Sequence, residues 1–467
     1  MMESFLKKSS SGTLSGNENS IHGWASVGHK SHTAGLAKLL ILVIMANGLI
    51  TNYAPQIGIN TGTFCIDVLE IVICFCALIR ELSGRTVSGR SMIPDVWVFL
   101  LFVLIAVFTL LSVIAVGYYG PGLLTVLRTR FLYWLIAPAL FVLVEFVYVD
   151  GVLRFFVNCG TVFCCFAIAQ ALIPNMLDPR LLSVEYDGVL GLSWSEATSS
   201  LLLRSNALMG NSIEFGGICV MLFALGLGNI FRNGATPFRI GKVAIIAAGC
   251  YFSYSRVACA GIVVVFAVLY FRLYRKPGSG KILTFLVIVA VLGLAGYFVL
   301  SGSTLMNRFF GEDVFTQASN ASHVSSIGKA LDVIADNVLF GTGLGSQTVS
   351  ISRVISDGWW LQLAAETGLI VLMLYILVYS RITLMAWRSQ RYGVGTEEFL
   401  AVMILVCLAY FVLASFINSS FVGRADCSLF MCLLGLYLAA RDDGAHRPCN
   451  SGVLFESQHS TQDWCHS

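Results

Sequence analysis

The stretch "DGWWLQLAAETGLIVL" opens on one acid, Asp357, and carries a second, Glu366, inside an apolar run, with Gln362 one turn before it. Carboxylates are costly in such surroundings and by default mark function. Either one suits the role of a general base that takes a proton from a hydroxyl. Two plainer roles compete with this. Asp357 also suits a helix cap, accepting from free backbone N–H groups. Glu366 also suits neutralising a nearby arginine. The arginines recur in company. Arg353 precedes Asp357 by four residues. Arg256 stands in "CYFSYSRVACAGIVV" beside Tyr254, in a tight turn between two apolar runs. Arg204 leads "RSNALMGNSIEFGG", with Asn211 following. Arg128 and Arg130 sit in "GPGLLTVLRTRFLYW", and Arg308 lies further on. A guanidinium is a planar fork suited to bidentate contact with phosphate or carboxylate. The chemistry such a set supports is binding of an anionic group, with a carboxylate acting close by.

Other candidates are weaker. Gly343 and Gly345 belong to "GTGLG", a tight turn whose backbone N–H groups are able to meet an anion. No strand precedes it, so a dinucleotide fold is not indicated. His323 opens a segment in which Val324, Ile327, Leu331, Ile334 and Val338 follow amphipathic helical spacing. Ser319, Asn320 or Ser322 would cap that helix. Trp359 and Trp360 suit anchoring at a membrane interface.

These residues must be positioned by membrane helices. The chain has 57% hydrophobic and 12% charged residues and a mean hydropathy of +0.80. A soluble protein carries about twice that charged fraction. The fold class is therefore an all-α polytopic membrane protein. Twelve transmembrane spans are expected, at 34–52, 63–80, 96–116, 131–148, 152–174, 209–230, 239–254, 257–273, 282–301, 358–380, 398–420 and 425–441. With the N-terminus cytoplasmic, nine basic residues fall outside: Arg128, Arg130, Arg180, Arg204, Arg256, Arg308, Lys329, Arg353 and Arg424. The remaining 20 of the 29 fall inside, as the positive-inside rule requires. Residues 1–33 and 442–467 read as cytoplasmic tails, 1–33 disordered, flanking a membrane domain at 34–441. The large outer loop is 302–356, with the amphipathic helix lying on the membrane surface. The two long outer loops, 175–207 and 302–356, hold none of the 14 cysteines, so no disulfide framework is expected. No metal-ligand spacing occurs, and no cofactor is called for.

Three segments resemble the O-antigen ligase/polymerase superfamily, the Wzy-type bacterial polymerases and the lipopolysaccharide ligases. They are "YSRVACAGIVV", "HVSSIGKALDVIADNVLFGTGLGS" and "DGWWLQLAAETGLIVL", with "RSNALMGNSIEFGG" as a weaker upstream match. The resemblance implies a GT-C-like membrane glycosyltransferase with a core at about 204–420. It would act on undecaprenyl-pyrophosphate-linked glycans at the periplasmic face of the inner membrane. Its implied partners are membrane lipid, a flippase and a chain-length regulator, and no nucleic acid. Arg256, Arg204, Arg128 and Arg130 would then hold the pyrophosphate, with Arg308 and Arg353 as looser candidates, and no metal ion. Asp357, and after it Glu366, would be the base, and Trp359 and Trp360 would stack on sugar. The ligases resemble one another in having His-Asn or His-Ser where this chain has Asp357-Gly358, which favours a polymerase over a ligase. A secondary transporter of an organic anion is the reading from another class, although no internal repeat supports it.

Overall fold

The computed structural model describes residues 34–46, 62–83, 95–117, 127, 130–173, 205–209, 212–273, 318–346, 358–417 and 424–445. They form helices. In chain order these are α1 (Ala34–Met45), α2 (Gly62–Leu82), α3 (Val96–Val116), α4 (Ile136–Leu143), α5 (Phe146–Leu172) and α6 (Ser212–Asn233). Then come α7 (Pro237–Phe252), α8 (Arg256–Leu273), α9 (Ala318–Asp336), α10 (Trp359–Tyr392), α11 (Thr396–Ile417) and α12 (Arg424–Ala445). A helix stands at each expected span except 282–301, which lies outside the described residues, as does the tail 1–33. Among the described residues, five helices are long and apolar enough to cross a membrane: α3, α5, α6, α10 and α11.

Local chemistry sets the helix ends. Asp95 caps α3 by accepting from the Val98 N–H at 3.0 Å, and Gly117 closes it in the left-handed conformation. Thr236 caps α7 and Pro237 follows, where a missing N–H costs nothing. The break between α4 and α5 falls at Val144 and Glu145, earlier than expected. Arg80 of α2 fixes it there, donating to the Leu143 carbonyl at 3.1 Å and pairing with Glu145 at 3.2 Å. The expected span at 358–380 extends to Tyr392. α12 runs to Ala445, into the segment read as a tail.

α6 and α12 form the centre. Of the most apolar window of α6, 78% is buried, against 22% in α3, whose Leu, Val and Phe side chains face outward. Close contacts between helices rest on small residues, which carry helix association where lipid removes any hydrophobic preference. Gly249 of α7 meets Cys164 of α5, and Gly435 of α12 meets the Ala137 carbonyl of α4. α10 packs between α3 and α11, and α9 lies on α10. On α9, Ile327 and Leu331 are exposed, as is Val338 beyond its end. Ile334, on the same stripe, is half-buried. Ser319, Asn320 and Ser322 are within α9, not at its cap.

Candidate active site

The site is built on a break in α10. Gly368 has φ 82° and ψ 171°, a conformation that interrupts the helix. In an unbroken helix the carbonyls of Ala365 and Glu366 would accept from the next turn. Here the Gly-rich turn supplies the donors. Thr342 gives its N–H (2.8 Å) and its hydroxyl (3.0 Å) to the Ala365 carbonyl, and the Gly343 N–H reaches the Glu366 carbonyl at 3.0 Å. In return the Leu369 N–H donates to Val338 at 2.8 Å. Ser112 of α3 donates to the Phe340 carbonyl, tying the turn to a third element. The expectation that Gly343 offers its N–H to an anion is corrected, because that N–H is engaged by α10. Gly345 shares the turn, with φ 81°. Gly341 and Gly368 both have positive φ and pack so closely that a Cβ on either would strike the opposing backbone. Broken helices in membranes need their freed backbone groups satisfied by other protein groups, and this turn does that.

The break holds Glu366 deep in the bundle. Its Oε2 pairs with Arg130 Nη2 at 2.6 Å, and Gln362 donates to its Oε1 at 3.1 Å. Glu366 is fully buried and Arg130 is 6% exposed. Arg130 Nη1 is also buried and has no hydrogen-bond partner among the described residues. A buried pair of this geometry is tolerated only because each charge answers the other. Of the two roles open to Glu366 in the sequence, the structure supplies the arginine neutralised by it.

Next to this pair Tyr133, Trp134, Trp359, Trp360, Tyr375 and Tyr379 pack ring on ring, at centroid distances of 4.6–6.5 Å. Trp359 and Trp360 are 2% and 8% exposed, and Trp360 donates its indole N–H to the Val412 carbonyl. Sugar stacking and surface anchoring are therefore both corrected for these two rings: they are core.

A second group gathers at the same end, where α6, α8 and α12 begin. Asp426 of α12 is buried against Gly217 of α6, with neither carboxylate oxygen hydrogen-bonded among the described residues. The carboxylate of Glu214 of α6 acts on it electrostatically. Gly216 packs on the turn Ser253–Ser255, from which Arg256 opens α8. Arg256 is partly exposed and has a partner. Tyr254 in that turn has φ 50°, and burial, followed by the nearby Tyr251, pushes its phenol above the ordinary range. Gln170 at the end of α5 clamps the segment before α6: it donates to Asn206 (3.2 Å) and accepts from the Ala207 N–H (3.0 Å). Ala207 and Leu208 both have positive φ. Such strain persists only where the surroundings impose it.

Of the sequence candidates, Arg130, Glu366, Arg256, Tyr254, Gly343, Gly345, Trp359 and Trp360 are described. Arg128, Arg204, Asn211, Arg308, Arg353 and Asp357 lie outside the described residues, as does the side chain of His323. Gln170, Ser112 and Asp426 were not singled out. Their signal is a lone polar group in or beside an apolar run. Among the described residues no cluster of three metal-ligating side chains occurs.

Residues 242–376 match the family model described as O-antigen ligase. The match begins in α7, includes α8, the Gly-rich turn and the break in α10, and bears out the resemblance to the O-antigen ligase/polymerase superfamily, whose members are glycosyltransferase-like enzymes. No curated protein matches the chain.

Proposed function

We propose that this multi-pass membrane protein is a polysaccharide polymerase, which moves a growing glycan from one polyprenyl pyrophosphate carrier onto the sugar of a second. The bond between the sugar's anomeric carbon and the pyrophosphate oxygen breaks. The leaving polyprenyl pyrophosphate keeps the electron pair. A hydroxyl oxygen of the acceptor sugar forms the new bond, and its proton passes to a carboxylate, with Asp357 first in line. Negative charge develops on the pyrophosphate, so fixed guanidinium groups in a water-poor site stabilise the transition state. Arg256 and Arg130 are assigned this work, with Arg128, Arg204, Arg308 and Arg353 completing the set. Glu366 holds Arg130 in place and is not the base. Lipid tails enter between helices beneath the 302–356 segment. The reaction takes place at the periplasmic face of the inner membrane.

The observation that carries this reading is the cation–carboxylate pair at the α10 break, inside a bundle whose matched segment is that of a lipid-linked glycan family. The departure at Asp357-Gly358 favours a polymerase over a ligase. One feature favours a transporter instead: a discontinuous helix with buried charge beside the break suits an ion or anion site. Purified protein with a synthetic lipid-linked repeat unit decides. The polymerase reading expects longer lipid-linked glycan, with Asp357→Asn slower by ~10²–10⁴-fold while donor binding is kept. Uptake of an anion into vesicles without glycan elongation would replace it by the transporter. Full activity in Asp357→Asn would reduce that residue to a helix cap.

A further inference from the structure

At the other end of the bundle α5, α6, α7 and α11 line an open cavity of about 490 Å³. α6 separates it from the site described above: Glu214 stands in its first turn and Arg232 in its last, and a helix of 22 residues spans about 33 Å. Four cations line the cavity, Arg154, Arg232, Arg239 and Lys242, against one carboxylate, Asp150. Their present partners are nearly all neutral. Arg154 donates only Nε, to its own helix's Asp150 carbonyl at 3.3 Å. Arg239 uses Nη1 on the carbonyls of Asn233 and Gly234. Lys242 donates to Asn158. Arg232 donates to Thr396 at 2.9 Å and stands 3.5 Å from Asp150. Both Nη groups of Arg154 and Nη2 of Arg239 thus have no protein acceptor among the described residues. A guanidinium has five donors, and forks left this open are matched to phosphate oxygens.

The geometry points to a binding site here for the phosphodiester headgroup of an anionic phospholipid. Asn158 and Asn233 add polar side chains to the lining. Phe238, 73% exposed, Leu153 and Val157 line the same cavity and give an acyl chain an apolar wall beside the charged floor. A free phosphate would need the cations but not that wall. Basic pockets between membrane helices are the usual seat of anionic lipid headgroups.

Full-length protein in a neutral detergent is mixed with phosphatidylglycerol, with phosphatidylcholine of the same chains, or with sodium phosphate, and thermal unfolding is followed. Phosphatidylglycerol is expected to raise the midpoint, and the other two at equal concentration to leave it unchanged. Arg154→Gln/Lys242→Gln should bind phosphatidylglycerol about thirtyfold more weakly. Undiminished protection in that variant, or equal protection by phosphatidylcholine, overturns the site. Protection by sodium phosphate overturns the lipid assignment in favour of a soluble anion. Should the double variant unfold on its own, Arg154→Lys/Lys242→Arg tests the same point, since it must keep the response to phosphatidylglycerol. Loss of response in a folded, charge-conserving variant also refutes the site.

Discussion

Arg130 and Glu366 are separated by 236 residues in sequence and by 2.6 Å in space. Removing one partner leaves the other charge buried and unanswered, at a cost of ~3–5 kcal/mol. Arg130→Ala is therefore expected to lower the unfolding midpoint sharply. Arg130→Met/Glu366→Leu removes both charges and keeps the volume, so it should unfold no earlier than the native chain. If the pair serves the fold alone, this double variant still elongates glycan. The proposed role of Arg130 on pyrophosphate expects a folded and inactive protein, read by thermal unfolding and glycan elongation side by side. Both residues were legible in the sequence because a charge amid apolar residues demands an account. Their pairing was not, since nothing in a linear chain encodes which distant charge answers which. Trp359 and Trp360 misled for a related reason: an aromatic pair beside an apolar run reads the same whether it faces sugar, lipid or the core.

At the level of elements, the Gly-rich turn and the α10 break are one device. The turn was legible as "GTGLG", but the break was not, because 358–380 reads as one continuous apolar span. The hydrogen bonds from Thr342 and Gly343 to α10 join them, and these arise only when the loop folds back on the helix. Gly368→Ala is expected to destabilise by ~1–3 kcal/mol from backbone conformation alone. The added Cβ would also sit 2.0 Å from the Leu339 oxygen, which is held by the exchange of hydrogen bonds around it. Gly341→Ala, with its Cβ 2.4 Å from the Glu366 carbonyl carbon, should behave alike. Gly328→Ala in the exposed part of α9 is the contrast. No atom lies within 4 Å of its Cβ, and Ala is the better helix former by ~0.5–1 kcal/mol. A normal unfolding midpoint in Gly368→Ala would mean that the break is not fixed by this glycine.

For the whole molecule, the side of the membrane decides whether the Arg130–Glu366 end meets periplasmic glycan at all. The charge gradient along the sequence predicts that this end faces outside, and helix directions would follow once one is fixed. Arg381, paired with Asp95 at 2.8 Å, and the basic residues beyond it stand at the C-terminal end of α10, the end expected to face the cytoplasm. The element pattern was legible because apolar length is written directly in the chain. Helix ends were less so: the break at Glu145 depends on Arg80, 65 residues away. Two exposed positions test the direction. Ala335 lies on the outer face of α9, and Val394, 78% exposed, lies between α10 and α11. Ala335→Cys should react with a membrane-impermeant maleimide in intact cells, and Val394→Cys only after permeabilisation, each compared with the unsubstituted protein. Ser346, in the loop expected to be outside, is a poorer probe, because it is buried and hydrogen-bonded to Thr342. The reverse labelling pattern would turn the paired charges toward the cytoplasm. No periplasmic glycan would then reach Arg130, and the basic cavity bounded by Arg154 and Lys242 would become the outer one.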